Sequence, residues 1–398
     1  MAEKMNKVPV SNQRSHRYFA DYFPIKFTDK DGAARSFDFT KFVSKLEGVD
    51  LTREQQKKFE ELKQEREAYR DAAALGQLMN LLDAELFLTP RQRTAFAEGV
   101  RQNLDTDVTG FAFRTSSYYF NQKAIGPIIR SGSYLKLLSD VQRRRASDLA
   151  SSNGSSARDL YVSFSANEGV DAWQEKLRES TKSQRDRLMR AIEVRVEFHK
   201  ALCDLPYKTV RYLRVAGKGA SDEMIASWKA TTRQQLKTYE QQAAQWAGQA
   251  NFSFSVSAPS ITKLGQNEIW THALESRIPQ SNDLLAERDR VRTAATADFV
   301  VAMLDKELWL TQQQRRHLAE SLIKKLPLPD KTVSNNTYYT DISLLAFALH
   351  RLSDQEISVL TDKQIEVWNA MKKVFPTQGQ YVVVQRRNGG QMHIALPQ

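Results

Sequence analysis

The residues that could do chemistry in this chain are scattered rather than clustered. Six histidines, His16, His199, His272, His317, His350 and His393, form no HxxxH or HExxH pattern, and a single cysteine, Cys203, excludes both a CxxC pair and an internal disulfide. A zinc site needs four converging nitrogen, sulfur or oxygen ligands, so no metal is expected, although His317 and His350 could meet in space. Cys203 falls in an amphipathic stretch and reads as a buried, inert thiol rather than a nucleophile. Gly217-Lys218-Gly219 lacks the GxxxxGK[ST] spacing of a phosphate loop and reads as a helix C-cap. Ser131-Gly132-Ser133 lacks the GxSxG elbow of a hydrolase.

The carboxylates come closest to a pattern. Asp83/Glu85 recurs as Asp305/Glu307. Two carboxyls can share acid and base roles, but i, i+2 spacing points them to different helix faces. The reading favoured is that they pair with arginines such as Arg70 and Arg292. No catalytic residue, cofactor or metal ligand is assigned, and the chain reads as a non-enzyme.

The recurrence belongs to a longer repeat. Residues 82–100, LDAELFLTPRQRTAFAEGV, and residues 304–322, LDKELWLTQQQRRHLAESL, are identical at ten of nineteen positions with an offset of 222. Arg66, Arg70, Leu138 and Gln142 have counterparts Arg288, Arg292, Leu360 and Gln364 at the same offset. Two repeat units are expected, residues 24–145 and 251–375, as pseudo-equivalent subdomains. Two units are too few for a solenoid.

Other segments follow from local pattern. Residues 1–23 read as a flexible polar arm. Alternation around Asp31-Gly32 signals a hairpin, with residues 252–256 as its counterpart strand in the second unit. Residues 146–158, rich in serine, read as a flexible linker. Residues 159–250 carry two apolar stripes, Trp173, Leu177, Leu188, Ile192, Val196 and then Ile225, Trp228, Leu236, Tyr239, Trp246, at helical spacing. They predict a long antiparallel helical hairpin, with a loop at residues 216–220 and Ser221 as N-cap. Residues 376–398 predict a β-hairpin tail around Asn388-Gly389-Gly390. The fold class expected is mainly α with minor β: two pseudo-symmetric units flanking a helical hairpin.

A motif LTxxQ, or LSxxQ, occurs at Leu51-Thr52-Gln55, Leu88-Thr89-Gln92, Leu138-Ser139-Gln142, Leu310-Thr311-Gln314 and Leu360-Thr361-Gln364. A hydroxyl followed three residues later by glutamine is a capping box, each residue bonding the other's backbone N–H. These helix starts resemble those of Spy/CpxP-type periplasmic helical proteins, a resemblance that implies a chaperone or stress-sensing role. A longer likeness, over roughly residues 200–375, rests on residues 213–219 (LRVAGKG), Ala286-Glu287-Arg288-Asp289-Arg290, residues 301–305 (VAMLD), Tyr338-Tyr339, Arg351-Leu352 and Leu360-Thr361-Asp362-Lys363-Gln364. It is similar to uncharacterised helical proteins of planctomycetes, for which no activity is implied.

Net charge is +11, spread along the chain. The partner expected first is another protein, through Trp228, Trp246, Tyr118 or Tyr338, in a scaffold or chaperone-like role. Tyr118-Tyr119 and Tyr338-Tyr339 read mainly as packing at helix entries and secondarily as stacking platforms. The alternative is nucleic acid held at a basic surface that includes Arg143, Arg144 and Arg145. Self-association stays open. No apolar run reaches the ~18 residues of a membrane span. No signal peptide is read, so the chain is expected to be soluble and cytoplasmic as written, or exported if a leader has been removed.

Overall fold

The computed structural model describes residues 26–28, 34–36, 52–103, 134–151, 161–165, 169–245, 253–327, 340–378, 381–385 and 391–396. A small antiparallel pair, β1 (Lys26–Thr28) and β2 (Ala34–Ser36), brackets the predicted Asp-Gly turn. The first unit continues with α1 (Arg53–Leu86), α2 (Pro90–Asn103) and α3 (Asp140–Ser151). Next come β3 (Tyr161–Ser165), α4 (Val170–Cys203), α5 (Tyr207–Gln245) and β4 (Ser253–Ser257). The second unit holds α6 (Glu268–Arg277), α7 (Ser281–Leu308), α8 (Gln312–Ile323), α9 (Thr340–Arg351), a single turn at Asp354–Ile357 and α10 (Asp362–Val374). A three-stranded antiparallel sheet, β5 (Thr377–Gln378), β6 (Tyr381–Gln385) and β7 (Gln391–Ala395), ends the described chain, as the Asn-Gly-Gly signal predicts. The fold is mainly α with minor β.

The two repeat units do not keep separate cores. α1 and its counterpart α7 lie antiparallel against each other, with Gly76 against Ala295 at the crossing. Leu78, Leu82, Leu86 and Phe96 pack in one buried cluster with Phe299, Leu304, Leu308 and Trp368. The expected pair of facing subdomains is instead one interlocked body. Each apolar stripe finds its match on the other unit.

Capping explains where these helices begin. All five LTxxQ segments form the reciprocal bonds that the spacing predicts. At Thr311 the backbone N–H donates to Gln314 Oε1 (2.9 Å), and Gln314 N–H donates to Thr311 Oγ1 (3.3 Å). Thr52/Gln55, Thr89/Gln92, Ser139/Gln142 and Thr361/Gln364 repeat the pattern.

α4 and α5 form the expected antiparallel hairpin, but its turn is at Asp204-Leu205-Pro206. Residues 216–220 lie inside α5 rather than in a loop. Their glycines serve close packing. A Cβ at Gly217 would sit 2.3 Å from Ile192 Cγ2 and 3.3 Å from Trp270, so only glycine lets α4 and α6 approach α5 here. Gly217→Ala is therefore expected to destabilise. Overpacking costs ~1–3 kcal/mol, more than the ~1 kcal/mol that alanine gains in helix propensity. The cost should shrink in an Ile192→Leu background, which lacks the offending methyl, as read by urea midpoints. Gly219→Ala, with nothing nearer than 3.7 Å, should be neutral or stabilising.

Two further expectations are corrected. The strand at β4 does not open the second unit with a hairpin of its own. It pairs with β3 in register Tyr161–Ser257 to Ser165–Ser253, forming a sheet at one end of the helical hairpin. Residues 146–151 belong to α3, and Ala146 is fully buried, so the serine-rich stretch begins as helix; the rest of that proposed linker lies outside the described residues.

The hairpin packs on α6 of the second unit through Ile192, Leu213, Trp270 and Leu274, and it reaches the first unit at Phe87. Phe87 packs with Val194 and Phe198 of α4 and with Val141 and Leu285. Its ring lies under Arg288 (3.9 Å) and Arg195 (4.7 Å), with Phe198 edge-on at 5.8 Å. The equivalent Trp309 instead meets Arg66 (3.8 Å) and Phe59 (6.2 Å). Lysines 63 and 363 stand where the first site has Leu285 and Val141. An apolar helix has no reason to settle over two lysines, so the duplication breaks symmetry there.

His199, beside this contact, is 1% exposed, and burial followed by the nearby Arg195 charge pulls its pKa down to about 4. An unfolded histidine titrates near 6.5. Between those values the unfolded chain binds a proton that the folded chain refuses. This contribution is therefore intact above about pH 6.5 and is lost as pH falls towards 4. A loss on the order of 2–3 kcal/mol is expected. His199→Phe should flatten that limb of the stability–pH curve.

Candidate functional site

The two recurring aspartates are buried in the α1–α7 pair, one near each end. Asp83 and Asp305 are each fully buried. Asp83 meets Arg288 Nε at 3.0 Å, Arg93 Nη1 at 3.6 Å and Arg292 Nε at 3.8 Å. Asp305 meets Arg66 Nε at 3.1 Å and Arg315 Nη1 at 3.7 Å. The partners swap between units: Arg66 of the first holds Asp305 of the second, and Arg288 returns the contact to Asp83. Each aspartate also closes its own helix end, Asp83 Oδ1 accepting from Leu88 N–H (2.7 Å) and Asp305 Oδ1 from Leu310 N–H (2.9 Å). There the chain turns through a left-handed aromatic residue, Phe87 (φ 47°) or Trp309 (φ 51°). A bulky residue in that region is strained. The aspartate bond and the arginine stacked on each ring hold it.

This geometry argues against paired-carboxylate catalysis. Asp83 and Asp305 lie at opposite ends of the antiparallel pair, about 25 Å apart at 1.5 Å per residue over the α1 segment between Arg66 and Asp83. Acid–base dyads need roughly 5–10 Å. The expected pairing with Arg292 is present, and Arg66, Arg288, Arg93 and Arg315 join it; Arg70 is not among the partners of either aspartate. Glu85 behaves differently, pairing with Arg145 of α3. For its equivalent Glu307 the repeat puts Val367 at the position of that arginine, and burial pushes the Glu307 carboxyl pKa up.

The capping glutamines also tie helices together. Gln92 Nε2 donates to Leu137 O (2.8 Å) and Gln142 Oε1 (2.9 Å), and Gln142 Nε2 donates to Leu86 O (2.9 Å) at the open end of α1. Gln314 and Gln364 repeat this with Val359 O (2.7 Å), Gln364 Oε1 (2.8 Å) and Leu308 O (2.8 Å). The LTxxQ motif thus starts one helix and finishes another. Gln142 and Gln314 are buried and Gln92 and Gln364 half-buried, whereas Gln55 is exposed.

The candidate partner residues fare poorly. Trp228 is 8% exposed and its indole N–H donates to Ser257 O at 2.7 Å, matching Trp173 to Ser165 O at 2.7 Å. Both rings hold the β3–β4 sheet on the helical hairpin, so Trp228 is corrected from surface anchor to core. Trp246, Tyr118 and Tyr338 lie outside the described residues. The three arginines do not form one basic surface: Arg143 is exposed and pairs with Asp140, Arg144 is exposed, and Arg145 is buried against Glu85. Among the described residues no cluster of three His, Cys, Asp or Glu side chains is placed to hold a metal. His350 hydrogen-bonds to the Phe375 carbonyl (2.6 Å). Burial pushes the Cys203 thiol pKa up despite a bond to Gln280, opposite to an activated nucleophile. No helix among these residues is long and apolar enough to cross a membrane.

What sequence reasoning missed is a groove between α5 and α6. It is open, about 760 Å³, and its walls are Tyr212, Val215, Ala216 and Gly219 from α5 and Glu268, Ile269, Thr271, His272 and Glu275 from α6. Val215 is 66% exposed, Ile269 42% and Tyr212 38%. Tyr207, 74% exposed, begins α5 and is not part of the groove wall. Below the groove, Ile192, Leu213, Ala220, Trp270 and Leu274 form a packed cluster, so the exposed side chains stand on rigid helices. The signal was present as Tyr212-Val215-Gly219 at helical spacing. Treating residues 216–220 as a loop concealed it.

Comparison with protein families, with curated proteins and with solved structures finds no match to this chain.

Proposed function

We propose that this chain is a non-enzymatic interaction protein, scaffold or chaperone-like, that receives a segment of another protein in the α5–α6 groove. The observation that carries this reading is the concentration of exposed apolar side chains, Tyr212, Val215 and Ile269, along one cleft between two helices that are anchored beneath by buried neighbours. Isolated exposed apolar residues are ordinary, but a contiguous cleft of them marks docking. The likeness of the LTxxQ helix starts to the Spy/CpxP type supports the same class of role. The nucleic-acid alternative loses Arg145, which is buried against Glu85, and keeps Arg143 and Arg144 at the surface, Arg143 already paired with Asp140.

The test is a paired substitution in the full-length chain. Val215→Ser with Ile269→Ser removes the apolar faces without touching the core below. Thermal stability is expected to change by less than about 0.5 kcal/mol, the usual range for surface sites. A protein that co-purifies with the wild-type chain from its native cells should be lost with the variant. Retention of the same partner by the folded variant would place the interaction elsewhere.

A further inference from the structure

We infer that the α5–α6 groove selects a basic amphipathic helix. This rests on the reading of the groove as a docking site and specifies what it takes. On a chain of net charge +11, the described walls of this groove hold two carboxylates, Glu268 and Glu275, and no lysine or arginine. The two glutamates are seven residues apart on one face of α6, a separation of ~10 Å along the helix. Basic residues at positions i and i+7 of a third helix repeat at the same distance. His272 lies between the carboxylates on that face, and Ile269 beside it lines the cleft with Tyr212 and Val215 of α5, which gives apolar surface for the residues between those basic positions. Gly219 seats Ile269, whose Cγ2 lies 3.7 Å from where a Cβ would stand, and so sets that side chain in the cleft.

Two other chemistries fit less well. An extended strand needs an open row of backbone N–H and C=O groups, whereas both walls are helices whose backbone is internally bonded. A phosphate backbone or an anionic lipid surface would meet two carboxylates at the rim. The nearby cation Arg277 is drawn over the Tyr212 ring at 4.5 Å. Lys208, Arg211 and Lys218 are exposed on α5 but are not part of the groove wall.

Fluorescence anisotropy on the full-length chain tests the assignment with two rhodamine-labelled 14-residue helical peptides of identical leucine spacing, one with lysine and one with glutamate at every polar position. The lysine peptide is expected to bind at least tenfold more tightly, against the bias of the overall positive charge. Glu268→Gln with Glu275→Gln should weaken the lysine peptide about tenfold and flatten its salt dependence. Val215→Ser with Ile269→Ser should weaken it independently of salt. Equal or tighter binding of the glutamate peptide, still lost in the serine variant, overturns the basic-helix assignment while leaving the docking site. Binding of both peptides that the serine variant leaves unchanged overturns the docking site as well.

Discussion

Asp305→Asn is expected to cost ~3–5 kcal/mol, the range for removing one partner of a buried ion pair. The side chain keeps its size and an oxygen for Leu310 N–H, so the loss is almost purely one of charge. Arg66 and Arg315, 7% and 3% exposed, would then face an uncharged amide in a space that excludes water. Asp83→Asn should cost a similar amount, because Arg288 and Arg292 are as deeply placed around it. The two sites are about 25 Å apart by helix rise, and distant sites add. The double variant should therefore lose on the order of 6–10 kcal/mol. Domain stabilities are typically ~5–15 kcal/mol, so the double variant is expected to be unfolded or nearly so. Urea midpoints should fall in both single variants with unchanged slope. A loss below ~1 kcal/mol in either, as for surface pairs, would show that these aspartates do not hold the units together.

Trp228→Ala carries the second large effect, ~3–5 kcal/mol for deleting a buried aromatic ring. The cavity opens between Trp173, Leu236 and the β3–β4 sheet, and the Ser257 carbonyl loses its indole donor. Trp228→Phe keeps much of the packing and should lose less, about 1–2 kcal/mol. The same substitution separates two readings of this residue. A partner-binding tryptophan would give a stable variant that no longer binds. A core tryptophan gives a variant with lowered melting temperature and early loss of protection in β4 by hydrogen exchange.

Much of this architecture is readable along the chain because its signals are local. A leucine, then Thr or Ser, then Gln three residues on marks a cap, and all five such segments form one, whereas Thr181/Gln184 and Thr231/Gln234 have the spacing without the leucine and lie inside α4 and α5. The stripes through Trp173–Val196 and Ile225–Leu236 contain their own period, so the long hairpin follows. The duplicated segment betrays itself by identity. Pairing is where one dimension stops helping. Arg66 stands ~25 Å along its own helix from Asp83, too far to pair, and nothing local shows that its mate is Asp305 of the other copy. Only the antiparallel crossing at Gly76 and Ala295 selects the exchange. The β3–β4 pair fails for the same reason, since the strand at residues 253–257 has no local mark that its mate lies beyond two long helices. Gly217 and Gly219 mislead in a different way. Glycine signals a turn when nothing else is known, but here Ile192 and Trp270 demand its missing side chain inside a continuous helix. That single misplacement hid the groove, because Val215 and Gly219 belong to one face only if α5 runs through them.

The central claim is that this scaffold presents the α5–α6 cleft to a partner polypeptide. Photo-crosslinking in native cells tests it most directly. A benzophenone amino acid would be placed in turn at Val215, at Ile269 and, as a control, at Leu62, which is 49% exposed on α1 away from the cleft. The account predicts one and the same adduct from positions 215 and 269 and its absence from position 62. An identical set of adducts from all three positions, or none from 215 and 269 while 62 gives a defined one, would contradict it.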